Sequence, residues 1–200
     1  IDYNSALLYK LAAITHLSLN SNGSFGDLAA SSYGGWIAYS CFERDWVLNQ
    51  INRQSKIKDL VIQEWPKLRI QPLKAPTDLR LLIGWTGSPA STTSLVDQLH
   101  DEQSEMNGFY KQFLEDSHEC VSWIIDAFEK EDITKIQQGI RINRHLLKSL
   151  SEKSGVNIET KALKRFVTLL RNLTGLLNLL VLAVVIVGLS YLTNKMRYFQ

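Results

Sequence analysis

The sequence predicts an α+β fold. Three observations carry this. Residues 5–17, 108–129 and 132–153 place apolar side chains at helical spacing. Two short runs, WIAYSCF at 36–42 and LRLLIGW at 79–85, read as strands, the second one buried. Glycine, proline and hydroxylic residues punctuate the segments between them.

The 200 residues leave room for one large domain or two small ones. Hydrophobic residues make up 45% and charged residues 21%, an ordinary globular balance. A net charge of +2 gives no field suited to nucleic acid or to an acidic polymer. Cys41 and Cys120 lie far apart without CxxC spacing, which predicts a reducing, cytoplasmic setting and no disulfide framework. His16, His100, His118 and His145 have no ligand spacing, so no metal site is expected. No signal-peptide pattern opens the chain, and Ile1 stands where a whole protein would begin with Met. The segment therefore reads as cut from something longer.

The elements follow in order. SALLYKLAAITHL at 5–17 is a helix with Leu7, Leu8, Leu11, Ala12 and Ile14 as its apolar positions. A Ser/Asn/Gly loop covers 18–24. A second helix spans 25–33, with Ser24 as N-cap, Asp27 three residues later as a shortened capping box, and Gly34-Gly35 as the stop. The strand at 36–42 follows. Residues 46–62 predict a helix or a turn-broken helix. Pro66, Pro72 and Pro76 mark a surface crossing and the best domain boundary. After the strand at 79–85 comes TGSPASTTS at 86–94, small and hydroxylic, within which a helix can start. Helices at 91–102, 108–129 and 132–153 complete the pattern. Phe109, Phe113, Cys120, Ile124 and Phe128 lie on one side of the second. The third has Asp132 as N-cap and Gly155 at its C-terminal stop.

Two stretches carry chemistry. In SNGSFGDLAASSYGGW, 21–36, Gly23 and Gly26 flank a lone carboxylate, Asp27, beside a packed helix. This is either a capped helix start with a tight turn or an anion site, because N-terminal N–H groups face outward and glycine lets a phosphate approach. The second stretch, 86–94, supplies Thr86, Ser88, Ser91, Thr92, Thr93 and Ser94 after a buried strand. Strand-end loops commonly hold ligands, but serine and threonine also make ordinary caps and turns.

Together, NGSFGDLAASSYGGWIAY and LLIGWTGSPASTTSLV resemble the GHMP family of small-molecule kinases, in the branch that acts on a phosphorylated mevalonate. LYKLAAITHL at 8–17 resembles the helix before the first of these motifs, and the match covers about residues 5–165. The resemblance implies transfer of the ATP γ-phosphoryl group to 5-phosphomevalonate, giving diphosphomevalonate in isoprenoid biosynthesis, with ATP and Mg²⁺. It implies that Asp27 is the active-site aspartate, that Gly23, Ser24 and Gly26 shape its turn, and that Ser91, Thr92 and Thr93 lie near the substrate phosphate. It also implies an organisation: 1–72 as the remainder of the GHMP catalytic domain, 73–165 as a helix-rich α+β C-terminal domain, and 166–200 as an apolar tail.

Two family parts are not spelled in these residues. The ATP-phosphate loop Pro-x-x-x-Gly-Leu-Gly-Ser-Ser is expected before the helix at 5–17, and the first-motif lysine before that. The motif Lys-Ser-Ser-Gly-Ala-Gly-Gly-Gly-Asp-Cys-Gly is expected after IET at 158–160. In its place stands LLNLLVLAVVIVGLSYL, 176–192. Read literally, this is a membrane candidate at the short limit for a spanning helix, a buried strand, or an aggregation-prone one. A shifted reading frame gives another account. Val contributes GT, so each junction into Val can encode glycine. The junctions from Leu177 to Gly188 then permit the missing motif in order. On this account the chain is a fragment of the kinase with a frame-shifted end, inactive by itself. The other classes are a tail-anchored membrane protein and a phospho-ligand-binding module without transfer chemistry.

Overall fold

The computed structural model of the chain describes residues 3–19, 23–53, 55–81, 107–173 and 179–180. The described residues fall into two compact units, one running to Leu73 and one beginning at Lys74.

The first unit opens with helix α1, Tyr3–Ser18. It buries Tyr9, Ala13, Ile14 and Leu17, whereas Leu8 and Leu11 are exposed. Of the apolar positions read from the sequence, Ile14 is buried and Leu7 packs against the core, whereas Leu8 and Leu11 do not. The helix is apolar on more than one side, and periodicity alone could not say which stripe meets the core. Helix α2, Gly26–Tyr33, ends at Gly34, whose N–H bonds to the Ala30 carbonyl at 2.9 Å. Gly34 and Gly35 have φ of 67° and 62°, left-handed values that suit residues without a Cβ.

Strand β1, Trp36–Ser40, stops short of the predicted 42, and Cys41 and Phe42 enter the core beyond it. The span predicted at 46–62 is broken into α3, Arg44–Asn52, and α4, Ile57–Ile62. Strand β2, Arg69–Leu73, pairs antiparallel with β1, from Trp36 opposite Leu73 to Ser40 opposite Arg69. Pro72 therefore sits in a strand opposite Ile37, where a surface crossing was expected. A two-stranded ladder consists of edges only, and edges tolerate a residue without an N–H.

Aromatic contacts knit this unit. Phe42 packs on Phe25 at 5.1 Å and on Trp65 at 4.8 Å between ring centroids. The Trp65 indole N–H donates to the Leu60 carbonyl at 2.9 Å. Lys10 on α1 donates from Nζ to the carbonyls of Val61, 3.1 Å, and Gln63, 2.5 Å, and lies 5.7 Å over the Trp65 ring. It therefore caps the end of α4, where a cation meets the negative end of the helix dipole. Burial lowers the pKa of this ammonium.

The second unit holds strand β3, Arg80–Leu81, then helices α5, Asn107–Glu129, and α6, Ile133–Ser154. The last two form a hairpin. Asp132 caps α6 by accepting from the Lys135 N–H at 3.0 Å, and Gly155, φ 69°, ends it as predicted. The helices approach closely at Gly139. A Cβ there would lie 2.4 Å from Ile124 Cγ1, and the Gly139 carbonyl accepts from Cys120 Sγ at 3.3 Å. A further helix, α7, spans Lys161–Leu173 and buries Val167, so helix continues across the boundary expected at 165/166. Thr160 Oγ1 starts it by accepting from the Leu163 N–H, 3.2 Å. Arg144 joins the preceding segment to α6, donating from Nε and Nη2 to Glu159 Oε1 at 2.9 and 2.6 Å. Strand β4, Leu179–Leu180, pairs in parallel with β3. Leu179–Leu180 is the described part of the apolar run at 176–192. Residues 82–106, which include most of the predicted strand at 79–85 and the predicted helix at 91–102, lie outside the described residues. Among the described residues, no helix is long and apolar enough to cross a membrane.

The close approach at Gly139 generates an expectation. Gly139→Ala should improve helix propensity by about 1 kcal/mol but overpack the hairpin by about 1–3 kcal/mol. The net result should be a lower urea midpoint. In an Ile124→Val background the loss should shrink, which a double-mutant cycle measures.

Candidate functional site

The Gly23–Asp27 turn is built around one side chain. Phe25 occupies the N-cap position of α2 with φ 58° and ψ 8°, a left-handed conformation, and makes no side-chain cap. Its ring is only 3% exposed, between Phe42 and the edge of His16. The guanidinium carbon of Arg44 lies 5.8 Å over the same ring. The expected N-cap, Ser24, is therefore displaced by one residue. Its Oγ accepts a long bond from the Gly26 N–H, 3.4 Å, and the side chain is buried. The physical reason is the ring. Turning Phe25 inward forces the backbone into the left-handed region at the residue where a cap would sit. Such strain costs of order 1–3 kcal/mol, which burying a phenylalanine, about 1.5–3 kcal/mol, can offset.

The turn's backbone is fixed from inside. The Tyr39 hydroxyl on β1 donates to the Ser24 carbonyl at 3.0 Å. The Tyr9 hydroxyl on α1 lies 2.8 Å from that of Tyr39. Because the Tyr39 proton is committed to Ser24, Tyr9 donates and Tyr39 accepts. Burial pushes both phenols well above the ordinary tyrosine range, so they stay protonated. The first intrahelical bond of α2 runs from the Ala29 N–H to the Phe25 carbonyl, 3.1 Å. The N–H groups of Gly26, Asp27 and Leu28 thus precede the helical ladder. Asp27 itself is exposed on the first turn. A carboxylate there is favoured by the helix dipole.

The structure therefore brings together Gly23, Ser24, Gly26 and Asp27 of the sequence-predicted site. Ser91, Thr92 and Thr93 lie outside the described residues. Sequence reasoning missed Phe25, Tyr9 and Tyr39. Tyr9 shares a helix stripe with Ala13 and Leu17, which was a usable signal. Nothing in the sequence joins Tyr39 to Ser24, because that bond spans two elements.

No family model matches the chain. Over 155 residues, 78% of its length, the chain is 37% identical to phosphomevalonate kinase of Streptomyces sp. (strain CL190). The chain is a relative of the phosphomevalonate kinases. It superimposes on the Lin0012 protein from Listeria innocua with a TM-score of 0.72 and 38% identity, over 82% of this chain and 46% of that one. It also superimposes on Streptococcus pneumoniae phosphomevalonate kinase in complex with phosphomevalonate and AMPPNP, with a TM-score of 0.60 and 28% identity. That match covers 76% of this chain and 43% of the other. The chain thus spans less than half the length of each of these relatives: 41% of the Streptomyces protein.

The geometry separates two roles within the turn. Phe25→Ala removes a buried ring and should cost about 3–5 kcal/mol. Asp27→Asn removes an exposed charge at a helix start and should cost at most about 1 kcal/mol. Urea denaturation of the two variants tests this, and equal losses would make Asp27 a structural residue.

Proposed function

We propose that this chain carries the acceptor-site turn of a GHMP-type phosphomevalonate kinase, which transfers the γ-phosphoryl group of ATP to 5-phosphomevalonate. The likeness to the Streptococcus kinase in complex with phosphomevalonate and AMPPNP carries this proposal. The organisation proposed with it assigns residues 1–72 to the catalytic domain and 73–165 to the C-terminal domain. The setting is the cytoplasm, which the buried free thiols of Cys41 and Cys120 support.

The chemistry sets what the turn must do. The acceptor is a phosphate whose second pKa is about 6, so it is largely ionised at neutral pH and needs no strong base. Phosphoryl transfer is then mostly positioning and charge neutralisation. Gly23, Ser24 and Gly26 shape a backbone surface that a phosphate can approach; the family resemblance adds Ser91, Thr92 and Thr93 as further substrate-binding residues. Asp27 orients a cation at the reacting phosphates and does not remove a proton. Among the described residues, no cluster of three or more His, Cys, Asp or Glu could hold a metal. The family resemblance implies Mg²⁺ as a partner of the nucleotide phosphates, with no residue of this chain assigned to it. When bound, it would neutralise charge on the transferred group.

Two outcomes test the proposal. NMR titration of the 200-residue polypeptide with 5-phosphomevalonate should give saturable shifts at the amides of residues 23–28; no shift at millimolar ligand would overturn it. The same polypeptide spells neither glycine-rich phosphate loop, so with ATP and Mg²⁺ it should form no diphosphomevalonate above a blank. Any such turnover would show that these 200 residues suffice.

A further expectation concerns Asp27 in a chain completed with both loops. There Asp27→Asn should lower kcat and kcat/KM together while KM for 5-phosphomevalonate changes little, the pattern of an interaction made in the transition state. Steady-state kinetics decides, and a fully active variant would remove Asp27 from the catalytic set.

A further inference from the structure

Two buried hydroxyls do more than fill the core of the first unit. A trans peptide holds its C=O and N–H on opposite sides of one plane, and no peptide bond described here is cis. The Ser24 carbonyl points inward, held by the Tyr39 hydroxyl at 3.0 Å. The N–H of the same peptide, which belongs to Phe25, must then point away from the tyrosine pair. It joins the N–H groups of Asp27 and Leu28, which precede the helical ladder of α2, whereas the Gly26 N–H is taken by the Ser24 Oγ at 3.4 Å. We infer that Tyr39, supported by Tyr9, is a positioning residue that locks the Ser24–Phe25 peptide so that the Asp27 turn faces a phosphate-bearing ligand with its donors outward.

The alternative peptide orientation is physically available. Rotating this peptide changes only Ser24 ψ and Phe25 φ, and it carries Phe25 from its left-handed φ of 58° to the negative-φ side that any residue adopts. With the carbonyl facing out, the turn would present an acceptor to an anion and repel it. The lock is a donor: a phenol is protonated at neutral pH, and burial pushes that of Tyr39 further above the ordinary range. The Tyr9 hydroxyl, 2.8 Å away, and the Cys41 thiol are its other neighbours. Tyr9 donates to the tyrosine oxygen and not to the turn, so its role is secondary. This inference rests on the proposed function for the identity of the ligand, but not for the orientation of the peptide.

Tyr39→Phe and Tyr9→Phe in the full 200-residue chain test it. In ligand-free protein, the Ser24 carbonyl and Phe25 amide resonances should move markedly in Tyr39→Phe and little in Tyr9→Phe. Titrated with 5-phosphomevalonate, Tyr39→Phe should bind roughly tenfold more weakly or worse, and Tyr9→Phe within about threefold of the parent. Tyr39→Phe breaks the bonds to Ser24 and to Tyr9, and Tyr9→Phe only the second, so both should melt lower by roughly 2–6 °C, Tyr39→Phe by more. A purely structural role would lower affinity only in step with melting across the two variants, which overturns the inference. Unchanged Phe25 resonances or unchanged affinity in Tyr39→Phe would also overturn it, leaving the proposed function in place. A parent chain that fails to bind 5-phosphomevalonate overturns the proposed function and with it the ligand role given to Tyr39.

Discussion

The burial of the Phe25 ring is the constraint on which the first unit depends. The ring sits between Phe42, His16 and the Arg44 guanidinium. To reach that position the backbone takes a left-handed φ of 58°. Everything near Asp27 follows from this. The helix starts one residue later than a serine cap would place it. Ser24 turns its carbonyl toward β1. Asp27 arrives on the exposed side of the first turn, where its charge is complementary to the helix dipole. A buried aromatic side chain and an exposed carboxylate are thus two residues apart.

The same economy appears in how the elements are tied. Lys10 spends its charge on the end of α4, not on solvent. Trp65 closes the same corner through its indole N–H. These bonds cross between elements, and each satisfies a carbonyl that a helix end would otherwise leave open. In the second unit the hairpin relies instead on close approach. Gly139 lets the Ile124 side chain lie against the backbone of α6, and the Cys120 thiol takes up the carbonyl at the same level. The Arg144–Glu159 bridge is partly sheltered, which makes it worth more than the exposed Lys130–Asp126 pair.

Both units carry a relationship to phosphomevalonate kinases that two short motifs already suggested. The likeness of 37% over 155 residues is spread well beyond those motifs. Yet its physical content at the Asp27 turn is local: a glycine-flanked turn, a buried aromatic that bends it, and a pair of hydroxyls behind it. The described part of the apolar run at 176–192 is held by backbone pairing to β3, the one bond type that is indifferent to side-chain identity.

The sequence by itself determined where the helices of the hairpin begin and end, because Asp132 and Gly155 act locally on their own backbone. It determined α1, α2 and β1 to within a few residues, through spacing and the Gly34-Gly35 stop. It also put Asp27 at a helix start. It could not determine which stripe of α1 is buried, since Leu8 and Leu11 are as apolar as Ala13 and Leu17. It could not see that Pro72 belongs to a strand, because a partner strand more than thirty residues earlier makes it one. Nor could it place the N-cap at Phe25, or join Tyr9 and Tyr39 to the turn. Those outcomes were decided by tertiary packing, because a ring seeking the core and a hydroxyl seeking a carbonyl act across distances in sequence that no local pattern records.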